Sequence, residues 1–230
     1  LDLKIDGLLF DKDGTLFDFV ASWGPWYSQL FQGLTPDKTV IDQMADAVRF
    51  DLETKRFDCD SVLIHGTATQ FLDLIMPFLP QWNHGDLENH VLRESRKVNQ
   101  IPVLPLAALL DGFLAAGLTL GIATNDNEIP AITQLKTAGI HDHFGFIAGC
   151  DSGFGAKPDH GMQTGFINAS GIDAARIAMI GDSAHDMVSG RNAGMQTIAV
   201  LTGVASRADL APLADVVLND IGEIPGWMAG

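Results

Sequence analysis

The sequence predicts an α/β fold, a doubly wound parallel sheet with an all-helical module inserted after its first strand. Short β-rich apolar runs stand at 5–10, 118–123, 144–148, 177–180, 197–201 and 216–218. From residue 102 onward they alternate with helical patterns, the rhythm of parallel strands joined by crossover helices. The stretch 18–101 breaks that rhythm, with helical periodicity and no convincing strand. The expected organisation is therefore a core of residues 1–17 and 102–230 and a helical module of residues 18–101, the size of a small domain.

Taken in order, the run 5–10 reads as a buried strand that ends abruptly at Asp11-Lys12-Asp13-Gly14-Thr15, where turn chemistry begins. In the module, Phe19, Trp23, Trp26, Tyr27, Leu30 and Phe31 share one helical face and are read as its core. Thr35-Pro36 reads as an N-cap with proline at the first helical position, ahead of Val40, Ile41, Met44 and Val48. A third helix carries Phe71, Leu72, Ile75 and Phe78, and a fourth covers about 86–98. Back in the core, Leu106, Leu109, Leu110, Phe113 and Leu114 repeat at three and four residues, and Gly117 marks the stop. Ile132 and Leu135 open another stripe that Gly139 closes.

Composition narrows the function classes. The chain has 230 residues, 47% of them apolar, and a formal net charge of −15. That charge argues against a nucleic-acid or anionic-membrane surface, since either requires a basic face. No run reaches the length of a membrane span, and Asp2, Lys4 and Asp6 do not suit a signal peptide, so a soluble cytoplasmic protein is expected. Cys59 and Cys150 fall in different modules and read as free thiols.

Four stretches at expected strand ends carry groups suited to chemistry: Asp11 to Thr15, Thr124-Asn125, Lys157-Pro158, and Gly181 to Asp186. Ligands of open α/β sheets bind outside the carboxyl ends of the strands. Of the first pair of acids, one carboxylate can attack while the other moves protons. Asp182 follows a strand as Asp11 does, whereas Ser183 and Asp186 have the spacing of a capping box, so Asp186 serves the next helix, a metal through water, or both. Brought together, Asp11, Asp13 and Asp182 would repel one another, and a hard cation such as Mg²⁺ resolves this with oxygen ligands. Thr124 offers a hydroxyl, and the N–H groups that follow from Asn125 suit an anion at a helix start. Lys157 supplies fixed positive charge. The combination describes phosphoryl transfer through an aspartyl-phosphate.

The order Asp-x-Asp-Gly-Thr, Thr-Asn, Lys-Pro and Gly-Asp-Ser-x-x-Asp, spanning 11–186, resembles the haloacid dehalogenase superfamily of hydrolases. The helical insertion directly after the first motif resembles its phosphoglycolate phosphatase-like and β-phosphoglucomutase-like branch. The resemblance implies a Rossmann-like core with a helical cap. It makes Asp11 the nucleophile and Asp13 the general acid and then base, with Thr124, Asn125 and Lys157 on the phosphate. It assigns Mg²⁺ to Asp11, the Asp13 carbonyl and Asp182, with Asp186 as a further candidate. The expected partner is a small phosphorylated metabolite such as phosphoglycolate, and oligomeric state is unreadable.

Two departures stand out: Phe19 after Asp18, where many relatives have a small polar residue, and Asp159-His160 after Lys157-Pro158, in place of a second proline. Asp13 argues against a true dehalogenase, which has no leaving-group oxygen to protonate. A phosphomutase shares these motifs and is the alternative. A receiver-type signalling domain is disfavoured, because its acidic pair precedes the phosphorylated Asp on an earlier strand and it needs no large insertion. Seven of the fourteen Lys and Arg residues lie in the module, and each is expected on a solvated face. Arg49 and Arg56 are the candidates among them for touching a leaving group.

Overall fold

A computed structural model describes residues 5–58 and 60–229, with His65 by its backbone alone. The chain opens with β1 (Gly7–Phe10) and enters the helical module: α1 (Phe19–Leu34), α2 (Lys38–Ala47), β2 (Phe50–Asp51), β3 (Arg56–Phe57), α3 (Val62–His65), α4 (Ala68–Ile75) and α5 (His84–Ser95). It returns through α6 (Leu106–Ala115), β4 (Thr119–Ala123), α7 (Glu128–Thr137), β5 (Phe146–Ala148) and α8 (Gly161–Ser170). The last third holds β6 (Ile177–Gly181), α9 (Ala184–Asn192), β7 (Gln196–Val200), α10 (Arg207–Leu210), β8 (Val216–Leu218) and α11 (Ile224–Ala229).

Six strands form one parallel sheet in the order β5-β4-β1-β6-β7-β8. All six fall on the runs read from the sequence, because a parallel sheet covered on both faces demands continuous apolar strands. Alternation divides β1 between the two faces. Leu8 and Phe10 join Leu110 and Phe113 of α6 and Ile224 of α11 on one side, while Leu9 meets Met162 and Phe166 of α8 on the other.

The position of β1 decides where the site lies. Phe10 pairs with Ile122 of β4 on one side and Ile180 of β6 on the other. The residues just beyond these three strands, Asp11, Thr124 and Asp182, therefore emerge side by side. Succession leads outward from β1 through β4 to β5 and outward again through β6 and β7 to β8, so the strand order reverses here and a crevice opens.

The inserted helices have their own apolar cluster, built on Trp23 and Phe31 of α1, Met44 of α2, Phe71 and Ile75 of α4, and Leu87 and Val91 of α5. Tyr27 sits among the rings of Trp23, Trp26, Phe50, Phe57 and Phe71. Two expectations need correction here. A two-stranded antiparallel hairpin, β2–β3, interrupts the helices, its turn held by Asp51 Oδ1 accepting from the N–H groups of Glu53 and Thr54. The N-cap of α2 is Asp37 rather than Thr35: its carboxylate accepts from Thr39 N at 2.9 Å, and the Thr35 hydroxyl accepts from Asp37 N before the helix begins.

The two strands of chain that join the module to the sheet run side by side, with Asp18 N donating to Ile101 O at 2.8 Å. Ser22 Oγ accepts from Ile101 N nearby. Asp18 also caps α1 by accepting from Ala21 N. Cys150 is a free thiol, pushed up to about 11 by burial and by Asp151 and Asp126; Cys59 lies outside the described residues. No described helix is long and apolar enough to cross a membrane.

Candidate active site

Asp11 follows β1 directly, and its backbone N–H still donates to Ile180 O, so the ladder of the sheet fixes its position. Beside it, Gly14 adopts φ +81°, and a Cβ there would run into the Asp182 carboxylate. The turn therefore requires glycine for its conformation as well as for the close approach of Asp182. Thr202 Oγ1, from the loop after β7, donates to Gly14 O at 2.6 Å and closes the turn from the other side.

Lys157 Nζ joins two of the carboxylates. It donates to Asp11 Oδ1 at 2.8 Å and to Asp186 Oδ1 at 2.6 Å, and all three residues are buried. Burial works against the Lys157 charge, but Asp11 and Asp186 outweigh it and hold the ammonium above its ordinary pKa. Asn125 braces this loop from both ends, accepting from Lys157 N at 2.8 Å and donating to Lys157 O at 3.0 Å. Thr124, 2% exposed, accepts from Asp126 N through its hydroxyl.

Asp182 completes an acidic group, since Asp11, Asp182 and Asp186 each bring a carboxylate oxygen within 4.8 Å of the others. Three buried carboxylates face one ammonium, an arrangement that favours taking up protons or a cation. Burial, with Asp186 nearby and Lys157 opposing, pushes Asp11 up to about 7. Burial and then Asp11 and Asp186 push Asp182 well above the usual carboxylate range. The donor set is all hard oxygen and fits a hard divalent cation. Asp186 has two tasks at once: its Oδ2 accepts from Ser183 N at 3.1 Å in a capping box, while its Oδ1 holds Lys157.

The Asp13 carboxylate is outside that group, turned toward the helical module. Its Oδ1 accepts from Trp23 Nε1 at 2.7 Å and from Gln100 Nε2 at 3.2 Å, and its Oδ2 from Lys12 Nζ. Lys12 has no exposed surface. It also donates to Gln134 Oε1 at 2.7 Å, pairs with Asp126 at 3.4 Å and lies 5.5 Å from the Trp23 ring centre. Gln134 Nε2 donates in turn to Ser95 O of the module. Burial opposes the Lys12 charge, but Asp13 and Asp126 more than offset it, so its pKa is raised.

Sequence reasoning missed Lys12, Trp23, Gln100, Asp126, Gln134, Thr202 and Gly203. The one available signal was Lys12 itself, a lysine held between two acids at the end of a buried strand. A Cβ at Gly203 would collide with Asp182, which places the loop after β7 directly against that carboxylate. Arg49 and Arg56, the expected candidates for the leaving group, do not line the cleft. Both are exposed, and Arg49 pairs with Asp60 at 3.0 Å.

Above Asp11, Asp182, Thr124 and Lys157 the cleft is roofed by α1, the α3–α4 segment and α5, including Trp23, Trp26 and Tyr27, which face the cleft while packing in the module core. The cavity beneath this roof has a volume of about 100 Å³.

The model of the family described as haloacid dehalogenase-like hydrolase matches residues 8–200. A phosphoglycolate phosphatase of Agrobacterium fabrum is 35% identical over 111 residues, and the matched region spans 48% of each chain, about half the length of that relative. A phosphoglycolate phosphatase of Neisseria meningitidis is 27% identical over 98% of this chain and 90% of its own. The solved structure of a predicted phosphoglycolate phosphatase from Haemophilus somnus superposes with a TM-score of 0.74 at 15% identity, covering 97% of each chain, and so shares the fold.

Proposed function

The chain belongs to the haloacid dehalogenase-like hydrolase family, and from that premise we propose that it is a phosphatase that hydrolyses a small phosphorylated metabolite through a phosphorylated Asp11, with Mg²⁺ as its cation. The observation that carries the reading is the joint placement of Asp11, Lys157 and Asp182 at the floor of the cleft, with Asp13 lining the same cleft two residues on from Asp11. The names of the two relatives support a phosphomonoester substrate.

In the proposed reaction an Asp11 carboxylate oxygen attacks phosphorus, and the bond from phosphorus to the ester oxygen breaks. Asp13 gives the departing alcohol its proton. Water then attacks the phosphorus of the aspartyl-phosphate while Asp13 takes a proton back, releasing phosphate and restoring Asp11. Lys157 and the hydroxyl of Thr124 hold phosphoryl oxygens, and backbone N–H groups after Thr124 supplement them. Asp11, the Asp13 carbonyl and Asp182 would hold the cation, with Asp186 behind them; bound there, it supplies charge that offsets the nucleophile and the phosphoryl group. The helical module covers the reaction as a cap and limits access of water.

Phosphate release from a panel of phosphomonoesters, with and without Mg²⁺, tests the reading. Release should require the cation and vanish in Asp11→Asn; turnover by that variant near the unmodified rate contradicts it.

A further inference from the structure

Among the described residues three side chains donate to the Asp13 carboxylate, and two of the three are anchored on one further atom. Lys12 Nζ donates to Asp13 Oδ2 and also to Gln134 Oε1 at 2.7 Å. Gln100 Nε2 donates to Asp13 Oδ1 at 3.2 Å and also to Gln134 Oε1 at 2.9 Å. The third donor, Trp23 Nε1, comes from α1. Gln134 thus stands one residue back from Asp13, 1% exposed on the inner face of α7 beside the buried Ala131 and Leu135.

The chemistry of its partners settles which way the Gln134 amide faces. An ammonium offers donors only, so Lys12 requires the amide oxygen. The amide nitrogen is then turned toward the Ser95 carbonyl at the end of α5, which only accepts, and donates to it at 2.9 Å. A buried amide bonded at both ends has one arrangement, and it passes that arrangement on: Lys12 Nζ and Gln100 Nε2 reach Asp13 from fixed positions. Without Gln134 Oε1, Lys12 would sit between Asp13 and Asp126, 3.4 Å away, and could settle toward either. Gln100 would lose its second acceptor and regain rotamers. The phosphoryl floor has supports of its own, Lys157 on Asp11 and Asp186 and Asn125 on Lys157.

We propose that Gln134 is a positioning residue for Asp13, acting through Lys12 and Gln100, and that its contribution falls on proton transfer to the leaving alcohol rather than on phosphate binding. This rests on the phosphatase reading above and deepens it: proton transfer requires Asp13 within hydrogen-bond reach of the ester oxygen. The competing explanation is a stitch, in which Gln134 joins module to core through Ser95 and does nothing for Asp13.

Leaving-group dependence separates the two. 4-Nitrophenolate departs with little help from an acid, whereas an alkoxide needs its proton. The test measures kcat/KM, which covers the steps through departure of the alcohol, for the Mg²⁺-loaded full chain. The substrates are 4-nitrophenyl phosphate and an alkyl ester, ethyl phosphate or phosphoglycolate, whichever the unmodified chain turns over faster. In Gln134→Met the value for the alkyl ester should fall about 10- to 100-fold, the range for hydrogen bonds to a charged group. For 4-nitrophenyl phosphate it should fall less than about 3-fold. Gln100→Met, at a half-buried position and with the bond from Gln134 to Ser95 retained, should show a split in the same direction, and Asp13→Asn a larger one. Equal losses on both esters, or no loss on either, in Gln134→Met or in Gln100→Met overturn the proposal and leave the phosphatase reading standing. No phosphate released by the unmodified chain from these esters, nor from a wider panel of phosphomonoesters, overturns both.

Discussion

The indole N–H of Trp23, on the first helix of the module, donates to Asp13 Oδ1 at 2.7 Å. A side chain of the module thus fixes the orientation of a carboxylate that the sheet delivers at the end of β1. Replacing Trp23 by Phe keeps a ring in the module core and removes the donor. We expect kcat to fall about 5- to 30-fold, the value of a hydrogen bond to a charged group of about 1–2 kcal/mol, with KM changing less. Steady-state kinetics beside a thermal melt check this; an unchanged kcat contradicts a positioning role for Trp23.

Lys12 is the second support of Asp13 and the counter-charge of Asp126. Lys12→Met leaves two carboxylates without their cation and should cost about 3–5 kcal/mol of stability. Adding Asp126→Asn removes one of those charges and should return part of the loss, a coupling of about 1 kcal/mol or more in a double-mutant cycle. Urea denaturation of the four proteins measures it, and simple additivity contradicts the pairing.

The acidic group at the floor makes stability depend on pH and on the cation. The folded pKa of Asp11 is raised from 3.8 to about 7, and that of Asp182 is raised as well. The stability each contributes is full below the unfolded value and is lost as pH rises through the folded one. The metal-free protein should therefore lose stability as pH rises from about 4 to about 7 through Asp11, with Asp182 acting in the same direction, and Mg²⁺ should raise the melting temperature more at about pH 8 than at about pH 5.5, where protons compete for the same oxygens. Differential scanning fluorimetry with and without the cation tests the sign. In Asp182→Asn the increment should shrink at both pH values.

Gly203 is predicted to act on the cation through Asp182. Its missing Cβ leaves the space that the carboxylate occupies, so Gly203→Ala should displace Asp182. The Mg²⁺ concentration for half-maximal activity should rise about 10-fold or more, as for other groups that support a metal ligand. A titration of activity against Mg²⁺ reads the shift, and excess cation should restore part of the rate.

What the sequence discloses follows from how each feature is encoded. The six sheet strands were readable because burial on both faces makes each an unbroken apolar run. Asp11, Thr124 and Asp182 were readable because each stands where such a run stops; Lys157, expected at a strand end, lies instead in the loop between β5 and α8, well past the end of its strand, and is brought back to Asp11 by the fold of that loop. The β2–β3 hairpin, with two residues per strand, is too short for any periodicity to register. The placement of Thr35-Pro36 failed because Asp37, one residue on, is itself a strong N-cap. The network of Lys12, Trp23, Gln100, Asp126 and Gln134 was invisible for a different reason: its members come from the β1 turn, the module and the region around α7, and only the packing of the chain brings them together. Trp23, Trp26 and Tyr27 were read as core, and they are, but a helix at the edge of a module can face its core and a cleft at once.

The central claim is that Asp11 carries the phosphoryl group, and reductive trapping tests it most directly. Borohydride added during turnover converts a phosphorylated aspartate to homoserine, and peptide mass spectrometry locates the change. Homoserine at position 11, dependent on substrate and absent from Asp11→Asn, is the predicted result. Turnover that continues under these conditions with position 11 unmodified, or with the change at another carboxylate, would contradict the account.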